Sequence, residues 1–373
     1  MSTKWVAAWG SASSYTVPAP GRYAKNVTLR YTLRALLPGE KIRLHLNNLY
    51  GKEEAVITRL FVGGAERPFV PVTFGGETAC RLAPGSRVVS DEIDFALTRG
   101  EDYIVSFYLE EFTPLHTGVN MTGPLCRFTW AEGDYAAQPV MPSLHTTGMD
   151  TAFFLDTVEV LTPDEKASVL VCYGDSITAQ SWPDYLILRT FREEREHLSV
   201  IRRAISGSRV RRQYENLQHR HYGSKGQTRF EREISAAGAD RVIILHGVND
   251  IIHPSGVEFR PWSDLPTAEE LIEGLRWYVG KAHELGKKVY LCTILPIKGW
   301  STYLPEREAI RTAVNEWIRT QKEADGVVDF AAATQDPADP LQLLPLCDSG
   351  DHLHPSLAGA EMMAESVPGA ILD

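Results

Sequence analysis

Over the first 165 residues, hydrophobic and polar positions alternate in short runs; beyond them the spacing becomes helical. Lys41-Ile42-Arg43-Leu44-His45-Leu46 keeps the two-residue period of a strand with one buried face, and Tyr103-Ile104-Val105-Ser106-Phe107-Tyr108-Leu109 follows it closely. Runs of this kind predict strands at 5–9, 27–33, 41–49, 55–62, 88–95 and 103–109, and again at 127–130 and 152–161. Pro38-Gly39, Asn47-Asn48, Gly63-Gly64, Pro84-Gly85 and Arg99-Gly100 separate them with residues that favour turns. Thr113-Pro114, Thr147-Gly148 and residues 161–165 read as loops. Short strands at even spacing predict a jelly-roll-like β-sandwich over residues 1–165.

The polar segment 163–166 marks a boundary, after which strands and helices take turns. Strands are expected at 169–173, 198–205, 242–246, 288–294 and 327–330. After Thr267, the residues Leu271, Ile272, Leu275, Tyr278, Val279, Ala282 and Leu285 recur at helical spacing up to Gly286, and Glu270 completes a capping box. Ala309, Ile310, Ala313, Val314, Trp317 and Ile318 do the same after Pro305. Residues 166–373 therefore predict an α/β domain, a parallel sheet with helices on both faces.

A chain of 373 residues with 43% hydrophobic content can fill two cores. Its net charge of −10 argues against a nucleic-acid partner. No apolar run approaches the ~18 residues of a membrane span, so no membrane partner is expected. Met1-Ser2-Thr3-Lys4-Trp5-Val6 lacks a signal-peptide core, which makes the cytoplasm the expected location unless a signal has been removed. The five cysteines are scattered without Cys-x-x-Cys spacing, so neither a disulfide scaffold nor a zinc ribbon is indicated.

Candidate chemistry gathers at the strand ends. Ser176 follows the apolar run 169–173 and Gly174, where it either caps a helix or faces the crevice in which open α/β sheets keep ligands. The tail Asp348-Ser349-Gly350-Asp351-His352-Leu353-His354-Pro355 brings Asp351 within three residues of His354. A serine needs a base to take its proton, and that base needs a carboxylate to fix its tautomer, so Ser176, Asp351 and His354 supply a complete triad. Gly207 and Asn249 each follow a predicted strand. With the backbone N–H of Ser176, the N–H of Gly207 and the Asn249 amide would give an oxyanion three donors.

Gly174-Asp175-Ser176-Ile177, Gly207, Gly247-x-Asn249-Asp250 and Asp351-x-x-His354 stand in the order and at the spacings of the SGNH (GDSL-type) hydrolase family, which residues from about 166 onward resemble. The first block has Ile177 where the family name has Leu, and Thr178 rules out the Gly-x-Ser-x-Gly elbow of α/β-hydrolases. The resemblance implies a flavodoxin-like, five-stranded, three-layer fold with Ser176 as nucleophile, His354 as base and Asp351 as its partner. Ser176, Gly207 and Asn249 become the oxyanion hole, and no cofactor is implied. Members with an N-terminal extension are most similar here over residues 43–51.

The expected activity is hydrolysis of short-chain carboxylic esters, acetyl esters of carbohydrate first, with a small-molecule or carbohydrate ester as partner. A lysophospholipase, an acyl-thioester hydrolase and a non-catalytic carbohydrate-binding protein are the alternatives; a homo-oligomer is compatible with the sequence. Asp175, His253, Trp262 and Trp300 are candidate substrate contacts. The long segment 251–266, with Phe259 and Arg260, is a candidate pocket wall, and Tyr303 a secondary one. Trp5, Trp9, Phe128 and Trp130 either stack on sugars or fill a core. The basic run Arg209-Val210-Arg211-Arg212, with His219, Arg220, His221, Lys225 and Arg229, either steers an anion or is a solvated face paired with Glu215, Glu231 and Glu233. Neither His219-x-His221 nor the Asp348 to His354 group has metal-ligand spacing, so no metal is expected.

Overall fold

Strands of the N-terminal region pair antiparallel in two main sheets. One runs Lys4–Gly10, Leu155–Thr162, Lys41–Asn47, Arg87–Val89. The other runs Thr147–Met149, Arg127–Glu132, Val27–Arg34, Asp102–Leu109, Arg59–Gly63, Val70–Pro71. This computed structural model describes residues 3–16, 23–142, 147–149, 151–216 and 218–373. By its internal contacts the chain divides into two units, residues 1–169 with 196–201, and residues 170–195 with 202–373.

Alternation sets the N-terminal core. Ile42, Leu44 and Leu46 are fully buried, whereas Lys41, Arg43 and His45 keep partial access to solvent. On that second face Arg43 sits opposite Glu159 in register and pairs with it at 2.5 Å, a cross-strand ion pair of the kind that stabilises a sheet modestly. Phe128 is a core residue, its ring edge-on to Tyr31 at 5.0 Å, while Trp5 is half-buried under the Arg43 guanidinium.

Three predicted strands differ from the observed ones. The run 55–62 is two strands, Ala55–Ile57 and Arg59–Gly63, in different sheets. Buried positions fall at 55 and 57, then at 60 and 62, so the two-residue phase slips at Thr58 and the chain changes partner there. The run 152–161 breaks at Phe154, whose φ of +61° turns the chain between Thr151–Phe153 and Leu155–Thr162. Within 88–95 the ladder covers only Arg87–Val89, and Ile93 returns as an isolated bridge to Ile42. Thr113-Pro114 and Thr147-Gly148, expected in loops, form strand Thr113–Pro114 and part of strand Thr147–Met149.

The second half forms a five-stranded parallel sheet in the order Leu198–Ala204, Ser168–Gly174, Ala239–Leu245, Lys288–Cys292, Gly326–Val328. Counted along the chain this is 2-1-3-4-5, the flavodoxin-like order, whose ligand crevice lies where the winding reverses between strands 1 and 3. Helix Trp182–Arg192 packs with Leu357–Ser366, and Ala268–Glu284 packs with Gly226–Ile234 and Pro305–Thr320. Thr267 and Glu270 form the expected capping box, and Pro305 occupies the first turn of its helix. The last strand ends at Val328 rather than 330, because the Asp329 side chain accepts from Ala332 N–H and starts helix Phe330–Thr334. Among the described residues, no helix is long and apolar enough to cross a membrane.

Candidate active site

Ser176 stands just beyond the buried strand Ser168–Gly174. Gly174 is needed there because a Cβ would come within 2.2 Å of the Leu245 carbonyl oxygen of the neighbouring strand. Capping of the short helix Ser176–Ala179 falls to Asp175, whose Oδ1 accepts from Ile177 N–H at 3.1 Å. That leaves the Ser176 hydroxyl available, and it lies 2.8 Å from His354 Nε2.

Asp351 accepts four hydrogen bonds on its own loop, one of them from the Ser349 hydroxyl to Oδ1 at 3.1 Å. Its Oδ1 takes the backbone N–H groups of Leu353 at 3.0 Å and His354 at 2.8 Å, and its Oδ2 lies 2.6 Å from His354 Nδ1. An ionised carboxylate can only accept, so the proton of the neutral imidazole sits on Nδ1 and Nε2 offers its lone pair to Ser176 Oγ–H. Burial works against the Asp351 charge, but the bonds from His354 outweigh it and hold the carboxyl below its ordinary range. Trp300 stands edge-on to the His354 ring at 6.3 Å. His352 turns away at a φ of +64° and pairs with Asp348 at 2.6 Å.

Gly207 has a φ of +79°, and a Cβ on it would lie 2.1 Å from the Tyr222 ring. Only glycine meets both demands. Asn249 follows Gly247, which enters helix Val248–Ile252 at a φ of +122°. One Asn249 Nδ2 hydrogen goes to the Ser208 carbonyl at 3.0 Å, leaving the other free.

Ser208 is a hub. Its hydroxyl accepts from Arg229 Nη2 at 3.1 Å, and the same Nη2 donates to the Gly174 carbonyl at 2.8 Å. Arg229 is fully buried, lies 4.3 Å over the Tyr173 ring and also donates to the Arg203 carbonyl. His246 Nε2 lies 3.1 Å from the Ser208 carbonyl and its Nδ1 lies 3.0 Å from the Tyr278 hydroxyl. Burial, with Arg229 nearby, pushes the His246 pKa down to about 3, so the ring is neutral and donates through Nε2. Asp250 accepts from Val210 N–H at 2.8 Å, and burial raises its pKa to about 6. The strand end that carries Ser176 and the loop that carries Gly207 are thus bound to the same buried cation.

The other candidates are placed unevenly. Asp175, a candidate substrate contact, is buried; its Oδ2 has no hydrogen-bond partner, and burial raises its pKa to about 7. His253 stacks on Tyr222 at 5.3 Å, one ring removed from Gly207. Trp262 is half exposed and covers the Arg307 guanidinium at 5.2 Å. The basic run is a solvated face only in part: Arg212 is exposed, and among the described residues Glu215 and Glu231 do not pair with the run. Arg209 and Arg229 are buried, and the carboxylates that pair Arg209, Arg211 and Arg212 come from Asp264 and Glu270. Glu233 pairs with Arg232 at 2.7 Å and Arg203 at 3.7 Å, neither of them in that run. Among the described residues no three His, Cys, Asp or Glu side chains group as a metal site. Tyr222 and His246 had no sequence signal beyond their place near the blocks, and Arg229 only its place in the basic run.

This arrangement can deprotonate a hydroxyl, hold the resulting imidazolium against a carboxylate and present amide donors beside it, which is the equipment of acyl transfer. The GDSL-like Lipase/Acylhydrolase family model matches residues 172–362, just over half of the chain. Among solved structures, a GDSL-like lipase from Bacteroides thetaiotaomicron is 18% identical over 56% of this chain and 90% of its own, with a TM-score of 0.42. An acetylxylan esterase from Geobacillus stearothermophilus is 22% identical over 54% of this chain and 94% of its own, with a TM-score of 0.41. No curated protein matches the sequence.

Proposed function

Since the chain belongs to the GDSL-like lipase/acylhydrolase family and is thereby a carboxylic ester hydrolase, we propose that it is a serine esterase of short-chain esters, acetyl esters of small molecules or carbohydrate first. The observation that carries this reading is the unbroken path from Ser176 Oγ to His354 Nε2 at 2.8 Å and from His354 Nδ1 to Asp351 Oδ2 at 2.6 Å. His354 Nε2 takes the Ser176 proton as Oγ bonds to the ester carbonyl carbon. The carbonyl oxygen becomes an anion held by Ser176 N–H, Gly207 N–H and the free Asn249 amide hydrogen. Collapse breaks the bond to the alcohol, which leaves with the proton from Nε2. A water then gives its proton to Nε2, attacks the acyl-serine, and the acid departs as Oγ regains the proton.

Preference for short acyl groups is supported by the rings around this path. Tyr222 packs on Gly207, and Trp300 stands beside His354. Rings this close to the reacting atoms restrict the room for a long chain.

Mass spectrometry after fluorophosphonate treatment should find one adduct, on Ser176, and hydrolysis rates should fall from acetyl to octanoyl esters. A protein that takes no label is a binding module. One that prefers long acyl chains or thioesters is a lysophospholipase or thioesterase.

A further inference from the structure

The cations around the site are almost all committed. Arg209 and Arg212 share Asp264 at 3.2 and 3.1 Å, and Arg211 faces Glu270 at 3.4 Å. Arg307 donates to the Ile252 carbonyl at 2.5 Å and to that of Pro254, which ties down the start of the segment that follows Asn249. Arg260, on the same segment, is different. Among the described residues no carboxylate comes within ion-pair distance of its guanidinium, Glu258 two residues away included. Its Nε is buried without a hydrogen-bond partner, and its cation lies 5.2 Å over the Phe259 ring. The Nε atoms of Arg209, Arg229 and Arg307 are buried in the same way, so what sets Arg260 apart is that its terminal nitrogens donate to no carbonyl, hydroxyl or carboxylate among the described residues, and a ligand carboxylate would supply the missing acceptor.

The position of Arg260 is fixed by its backbone. Its N–H donates to Val257 at 2.9 Å, and its carbonyl accepts from Ser255 and Gly256 at 2.9 and 3.0 Å. From there a row of rings leads to the oxyanion loop. Phe259 stacks on His219 at 4.8 Å, His219 lies 5.6 Å from Tyr222, and Tyr222 packs on Gly207. The Arg260 charge reaches along this row: with burial as the larger cause, it lowers the pKa of His219 and contributes to that of His253.

We propose that Arg260 recognises a carboxylate on the ester, so that the substrates are acidic esters: the acetylated hydroxyl of a sugar acid or other hydroxy acid, or an ester of a dicarboxylic acid. A guanidinium presents paired donors that match a carboxylate, and Phe259 gives the bound group an apolar neighbour. The chain's net charge of −10 does not oppose this at contact range, because salt screens distant charges within about 8 Å while a direct pair is screened far less. This inference rests on the esterase reading above and assigns the substrate class of the same site.

Two matched pairs test it in the full chain: 4-acetoxybenzoate against its methyl ester, with the carboxylate on the alcohol side, and monophenyl succinate against phenyl methyl succinate, with it on the acyl side. We expect the parent to favour the acid over its neutral partner in at least one pair by about 10-fold in kcat/KM at low salt. That ratio should fall about 10-fold in Arg260→Gln, fall less in Arg260→Lys, and shrink at high salt. Which pair shows the ratio identifies the side that carries the carboxylate. Ratios near one in both pairs, or a ratio that Arg260→Gln leaves intact, would overturn the proposal. Neither result touches the esterase reading, which fails only if the neutral esters are not hydrolysed or if Ser176→Ala hydrolyses them equally.

Discussion

Asn249 Nδ2 donates to the Ser208 carbonyl at 3.0 Å, so the residue after Gly207 aims the amide of a loop more than forty residues away. Two of the proposed oxyanion donors are thereby set by one contact. The donor should matter in the transition state more than in substrate binding. Asn249→Ala is expected to lower kcat by about 10² to 10³, close to 3 to 4 kcal/mol, with little change in KM. Steady-state kinetics on 4-nitrophenyl acetate would check this, and a loss confined to KM would count against the assignment.

Arg229 acts through its neighbours rather than on substrate. It binds the Gly174 carbonyl and the Ser208 hydroxyl, and so ties the serine's strand end to the Gly207 loop. Arg229→Met keeps the stem and loses the fork, and should reduce kcat about tenfold or more. Combined with Asn249→Ala the loss should be less than additive, since both changes disturb one oxyanion site. Strictly additive losses would mean that Arg229 works elsewhere. Ser208→Ala, which removes the acceptor and leaves the cation in place, repeats the test if the methionine variant folds poorly.

The buried Asp175 carboxyl gives stability a pH dependence whose direction is fixed. Burial first, with the Asp250 charge adding to it, raises the pKa to about 7 against about 4 in the unfolded chain. Stability gained by holding that proton is fully present below the unfolded value and is lost as pH rises towards about 7. Asparagine keeps the acceptor for Ile177 N–H and carries no charge. The Tm of Asp175→Asn relative to the parent should therefore climb between pH 4 and 8. A difference that stays flat in thermal melts over that range would show that the carboxyl is ionised throughout.

Much of this site was legible because each block combines a strand end with a residue type that the chemistry requires. Gly174 closes its strand, Ser176 and Asn249 sit in short helices just beyond strand ends, and Gly207, Asp351 and His354 lie outside helices and strands; the alternating pattern of 41–46 is a strand of an antiparallel sheet. What stayed hidden depends on partners far along the chain. Arg209 looked solvated because Asp264, its partner, lies more than fifty residues on. Arg229 looked like part of the same basic face, although its ligands are carbonyls and a hydroxyl, which composition cannot reveal. The slip of phase at Thr58 was visible in principle, since Ala55 and Ile57 alternate out of step with Leu60 and Val62.

Removing the Ser176 hydroxyl tests the central claim most directly. Ser176→Ala should fold with the parent's circular dichroism and lose turnover of 4-nitrophenyl acetate by about 10⁴-fold or more, any residue of rate coming from the remaining amide donors. A folded Ser176→Ala that hydrolyses the ester at the parent's rate would contradict the account.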